Sequence, residues 1–90
     1  MSTSKSELLR AVELARTSQW DAAHEIVQQY EDDATASWIH AVLHKMEGDL
    51  SNSGYWYRRA KRAPDMGKEP LAELDVIETE LRGNSNNCNK

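Results

Sequence analysis

Phenylalanine is absent from this chain, and its 90 residues hold two prolines and one cysteine. No apolar run approaches the roughly 20 residues that a membrane-spanning helix needs. Each scarcity excludes something. A single cysteine, Cys88, forms neither a disulfide framework nor a cysteine metal cluster, so the expected setting is a reducing one, the cytoplasm. Cys88 has nothing beside it in the polar stretch GNSNNCNK to depress its pKa, so it is not read as a reactive thiol. The beginning, MSTSKSELLR, lacks the basic segment and apolar run of a secretory signal. β-branched runs are rare and no stretch alternates polar with apolar, which leaves nothing to build a sheet from. There is no glycine-rich phosphate loop and no serine elbow. The charge is acidic, with 11 Lys and Arg against 15 Asp and Glu, which argues against nucleic acid as the main partner.

What remains is dense in helix signals. Ser4 and Glu7 have the S-x-x-E spacing of a capping box, and Leu8, Leu9, Val12 and Ala15 follow on one face, predicting a helix over about 5–17. Ser18 and Asp21 suggest a second cap ahead of Trp20, Ala23, Ile26, Val27 and Tyr30. An acidic turn, Glu31 to Asp33, leads into a third helix with Trp38, Ala41, Val42 and Met46, which stops at Gly48. Asp49 can cap a fourth helix from Leu50 to about Arg62. Pro64, Gly67 and Pro70 punctuate a connector, and Pro70 suits the first turn of a fifth helix with Leu71, Leu74, Ile77 and Leu81 on one stripe. The expected fold is all-α with five helices: a flexible 1–4, one helical domain over 5–82, and a disordered Asn-rich tail over 83–90.

A repeat of thirty residues underlies the pattern. Leu8 and Trp38, Leu9 and Ile39, Ala11 and Ala41, and Val12 and Val42 correspond. Ser18 matches Gly48, Trp20 matches Leu50, Ala23 matches Ser53, and Val27 matches Tyr57. This predicts two helix hairpins stacked in one orientation, with the fifth helix capping the open face of the second. Ala41, Gly48, Ser53, Tyr57, Ala60 and Pro64 resemble a tetratricopeptide repeat, though the unit here is about four residues short of the usual 34. The first copy, with Ala11, Ser18, Ala23 and Val27, fits more loosely. The phrase W-I-H-A-x-x-H-K-x-E-G-D-x-x-N-x-x-Y-W-Y-R-R, over residues 38–59, is also similar to a group of small bacterial proteins with fungal relatives, in which arginine stands at the place of Lys45. That resemblance implies a shared surface and supplies no activity.

Two stripes carry the candidate chemistry. On the third helix the apolar residues occupy one arc, and His40, His44 and Glu47 fall together on the opposite side, which places them outside the core by expectation. His24 on the second helix can join them. Zinc takes three or four such ligands, and His24, His40 and His44 are the candidates. The zincin motif, however, needs a glutamate directly after the first histidine, and Ala41 stands there. The plainer alternative is that these side chains face water or bond to neighbouring helices. On the fourth helix Asn52, Trp56 and Arg59 form a second stripe with Tyr55 beside it. Its basic end, Arg58 to Arg62, can complement the helix dipole as readily as it can grip a nucleic acid.

If the two stripes meet, His24, Gln28, His40, His44, Glu47, Asn52, Tyr55, Trp56 and Arg59 make one face. The first expectation is a non-enzymatic binding module for a peptide, a protein or a small polar ligand, with self-association into a homodimer as a further possibility and no resident cofactor. The alternative is a metal-dependent or acid–base enzyme on His24, His40, His44 and Glu47. A buried polar network holding the helices together is a third outcome, which the sequence does not separate from a site.

Overall fold

The turns decide where the helices end. The computed structural model describes residues 2–63 and 69–82. Among these it contains five helices: α1 (Ser2–Arg16), α2 (Trp20–Gln28), α3 (Ala34–Met46), α4 (Leu50–Arg59) and α5 (Pro70–Leu81). The expected tail with Cys88 and the Pro64–Gly67 part of the connector lie outside the described residues.

Three helices close in the same way. At the ends of α1, α3 and α4 the residues Ser18, Gly48 and Lys61 have φ of 64°, 86° and 62°. In each case the next residue's N–H reaches back five positions: Gln19 to Leu14, Asp49 to His44, Arg62 to Tyr57. The left-handed residue's own N–H reaches back three, from Ser18 to Ala15, Gly48 to Lys45 and Lys61 to Arg58. These paired bonds satisfy carbonyls that a helix end otherwise leaves open. Only Gly48 is free of the steric cost of that conformation.

Several boundaries shift from expectation. α1 begins at Ser2, so Ser4 lies inside it. Ser18 does not cap α2: it ends α1, and Gln19 precedes α2 with no side-chain cap. α4 stops at Arg59, because Lys61 already turns left-handed. Two aspartates cap helices, Asp49 as expected and Asp33 from the acidic turn. Asp33 accepts from the Ala36 N–H at 3.0 Å, and Asp49 accepts from the Asn52 N–H at 3.3 Å. Pro70 is the first residue of α5.

α1 packs on α2, α2 on α3, and α3 on α4, while α5 lies against both α1 and α3. It therefore spans the two pairs. The core holds Leu8, Ala11, Val12, Ala23, Val27, Ile39, Val42, Leu43, Leu74 and Ile77, each fully buried side chain contributing about 1–3 kcal/mol. The small residues sit at close approaches: Ala11, Ala41, Ala23 and Ser53 are buried, and the Ser53 hydroxyl donates to the Ala41 carbonyl at 2.8 Å. The correspondence of Trp20 with Leu50 fails in burial, since Trp20 is half-buried and Leu50 is exposed. Leu71 also points outward, and buried Glu73 shares the inward stripe with Leu74, Ile77 and Leu81.

α3 departs furthest from the amphipathic expectation. Every residue from Ala36 to Lys45 is buried. With neighbours on several sides, the polar side chains within this buried run must find partners in protein.

Candidate functional site

The buried polar side chains of α3 belong to two centres, on different sides of the helix. The first gathers the three histidines. His40 and His44 were expected outside the core; both are buried, because α2 and α4 flank that side of α3 and cover it. His24 comes in from α2, half-buried. The ring centroids lie 4.6 Å apart for His24 and His40, 5.3 Å for His24 and His44, and 5.0 Å for His40 and His44. The Nε2 atoms of His24 and His40 are 2.9 Å apart, so one ring donates to the other. His44 Nδ1 lies 2.8 Å from a carboxylate oxygen of Glu47, the residue that ends α3. The remaining nitrogen of His40, Nδ1, is buried and has no hydrogen-bond partner among the described residues.

Aromatic rings enclose this cluster. Trp20 stacks on His24 at 4.5 Å, and its indole N–H donates to the Leu43 carbonyl at 2.6 Å. Trp56 stacks on His40 at 3.9 Å with the planes 13° apart. Tyr55 meets Trp56 edge-on at 5.1 Å. The Arg59 guanidinium lies 5.2 Å from the Trp56 ring centre and 6.0 Å from that of Tyr55. A series of ring contacts thus runs from Trp20 through His24, His40 and Trp56 to Arg59, stacked except for the edge-on His24–His40 pair, and crosses α2, α3 and α4. It accounts for Trp56: the ring lies off the α4 packing face yet is half-covered, by the stacked His40 imidazole and by the nearby Arg59 cation.

The electrostatics follow from burial. Burial, with the neighbouring His24 and His44, pushes the His40 imidazole down to about 3. Burial also lowers His24, reinforced by His44 and partly opposed by Glu47 and Asp21. Both rings are neutral at physiological pH, the form that accepts hydrogen bonds and binds metal ions.

Not every expected member joins. Gln28 is exposed, and no hydrogen bond among the described residues ties it to the cluster. The Asn52 amide donates to Asp49 at 2.7 Å, so it belongs to the α4 cap, where it holds the Asp49 carboxyl below its usual range. Arg59 extends to the loop before α3, donating to the Glu31 carbonyl at 3.2 Å with Asp32 at 3.8 Å. His24, His40, His44, Glu47, Trp56, Tyr55 and Arg59 do come together.

The second centre was not foreseen. Glu73 of α5 is buried and takes hydrogen bonds from the Trp38 indole at 2.8 Å, the Tyr57 hydroxyl at 2.7 Å and Lys45 at 2.7 Å. Arg62 covers the outer face of Trp38 at 3.4 Å. An open cleft of about 400 Å³ adjoins it, lined by Trp38, Tyr57, Lys61, Arg62, Glu73 and Val76. The signal was present: Lys45 interrupts an apolar arc next to Trp38, and Glu73 directly precedes Leu74 on a packing stripe. Neither position suits a charge unless the two meet.

Comparison with family models, with curated proteins and with solved structures finds no match to this chain.

Proposed function

We propose that this chain is a small non-enzymatic binding module that recognises a carboxylate-bearing peptide or small polar ligand along α4. In this reading α1 with α2 and α3 with α4 are two tetratricopeptide-like hairpins, and α5 is the covering helix. The thirty-residue repeat in the backbone supports that architecture: Ser18 and Gly48 are both left-handed and both close with the same pair of bonds.

The observation that carries the binding role is the ledge made by Tyr55, Trp56 and Arg59. Tyr55 is 45 % exposed and fills no core space, and the Arg59 cation spreads over both rings while keeping an open face to solvent. An aromatic surface held beside a guanidinium suits a carboxylate accepted by the fork and a side chain laid on the rings. The buried histidine stack behind Trp56 fixes the ledge, which lowers the ordering cost of binding.

The test uses immobilised peptides with free C-termini and acidic side chains, each beside an amidated or neutral counterpart. The expected result is selective capture of a subset through the carboxylate, lost in Arg59→Ala and Tyr55→Ala while both variants keep their melting temperature. Capture that survives both substitutions, or none that distinguishes carboxylate from amide, refutes the reading.

The convergence of His24, His40, His44 and Glu47 favours a second reading as an acid–base or metal-dependent enzyme. Its weak point is geometric: His40 and His44 are buried, which limits their reach to a substrate.

A further inference from the structure

We propose that His24, His40 and His44 form a site for one transition-metal ion of the zinc class, with Glu47 holding His44 from behind. The inference goes beyond the peptide reading and does not depend on it, because the α4 ledge stands whether or not an ion lies behind it.

Three imidazoles on one tetrahedral ion, at about 2.0–2.1 Å per bond, place their ring centroids roughly 5 Å apart and their ligand nitrogens roughly 3.3 Å apart. The three centroid separations here run from 4.6 to 5.3 Å. One nitrogen from each ring lies within 4.8 Å of the others. The His24–His40 contact at 2.9 Å is a hydrogen bond that the ion would replace. His40 and His44 lie near-parallel, 20° apart, so binding one ion requires side-chain rotation that tilts the two rings toward a common point. The ligand nitrogens must close from within 4.8 Å to roughly 3.3 Å, and both α3 ligands already lie one helical turn apart on a single face.

Glu47 supplies the outer partner. Its carboxylate at 2.8 Å fixes a proton on His44 Nδ1 and leaves Nε2 as the ligand atom. The donor set selects the ion. Neutral imidazoles without thiolate or a cage of carboxylates suit zinc, cobalt, nickel or copper(II), not magnesium or calcium. His24 is half-buried, which leaves the cluster an edge at the surface for the ion to enter.

A purely structural network explains the cluster less well. Buried polar networks are retained when each member is satisfied. His40 Nδ1 lacks a partner among the described residues with or without an ion at Nε2, so the difference lies in composition: the cluster packs three imidazoles where apolar side chains would fill the space at less cost.

The experiment uses the untagged full chain, stripped with a chelator, then dialysed against Zn(II) and separately against Co(II). Expected are one zinc per chain by elemental analysis, a changed tryptophan emission because Trp20 and Trp56 lie on two of the ligand rings, and the intense visible bands of low-coordinate Co(II). His24→Gln, at a half-buried position, should lose the ion while keeping its circular dichroism. Glu47→Gln should weaken affinity about 10–100-fold, and Asp49→Asn, which preserves the cap, should leave it unchanged. The Co(II) spectrum of the unmodified chain decides the matter even if a variant fails to fold. A pale octahedral spectrum with no zinc retained after dialysis overturns the proposal. Binding that survives His24→Gln and disappears in Asp49→Asn overturns it as well, since the ion would then sit among His44, Glu47 and Asp49.

Discussion

Replacing Lys45 by methionine isolates the energetics of the second polar centre. Lys45 and Glu73 meet at 2.7 Å with each side chain 5 % exposed, so the pair is dry on both sides. Methionine fills much the same volume and removes the ammonium. Glu73 then remains as a buried carboxylate with two neutral donors, Trp38 and Tyr57. Breaking a buried ion pair from one side costs about 3–5 kcal/mol. The two surviving donors favour the lower end, about 3 kcal/mol. For a domain of this size that lowers the melting temperature by about 12–24 °C, at roughly 4–8 °C per kcal/mol. It is a large share of a total stability on the order of 5–15 kcal/mol. Urea denaturation at neutral pH followed by circular dichroism measures it. One companion sharpens the reasoning. Lys45→Met combined with Glu73→Gln should recover more than half of the loss, because the glutamine oxygen still accepts and no charge is stranded. A single variant within about 1 kcal/mol of the parent, with no gain from the second substitution, would mean the pair is hydrated and the account is wrong.

Three further outcomes are expected. Below about pH 6.5 the unfolded chain binds a proton at His40 that the folded chain refuses until about pH 3, so stability is fully present above pH 6.5 and falls as pH drops, by at most about 1.4 kcal/mol per unit. His24 acts in the same direction, and urea midpoints between roughly pH 7.5 and 4.5 that stay flat would contradict both. His40→Ala should cost about 2–4 kcal/mol through the cavity left under Trp56, read from the same denaturation curves, and a cost under about 1 kcal/mol would show that the stack contributes little. At the left-handed turns the signs differ. Gly48→Ala should destabilise by about 1 kcal/mol although nothing lies within 4 Å of the added carbon, and Ser18→Gly should stabilise by a few tenths to about 1 kcal/mol, both checked by thermal melting.

The parts legible in the sequence are those set by local chemistry. Gly48 and Asp49 mark the α3–α4 turn because one residue tolerates positive φ and the next accepts an amide N–H. Ala41 opposite Ser53 marks a close approach because neither side chain obstructs it. Ser18 misled for a local reason too: a serine followed by S-x-x-D spacing reads as a cap, yet the chain spent it on closing α1. The site was legible in membership and not in depth. The spacing of His40 and His44 put them on one side of α3, and the stripe logic brought His24, Trp56 and Arg59 toward them. Their burial depends on α2 and α4 both covering that side, which is a tertiary fact with no trace in a single helix's periodicity. Glu73 was missed for the same reason. Its partner Lys45 is 28 residues away, so each charge, taken alone, interrupts a packing stripe without showing what it pairs with.

α3 is buried along most of its length, and a uniformly apolar helix in that place could slide or rotate with little change in energy. Its two polar centres remove that freedom. Trp38 and Lys45 face α5, while His40 and His44, roughly 130° around the axis, face α2 and α4. A rotation of one residue or a slip of one turn would strand both sets at once. The helix therefore has a single azimuth and a single depth, and substitutions at positions 38, 40, 44 and 45 should be tolerated least, for loss of a unique arrangement more than for loss of contact area.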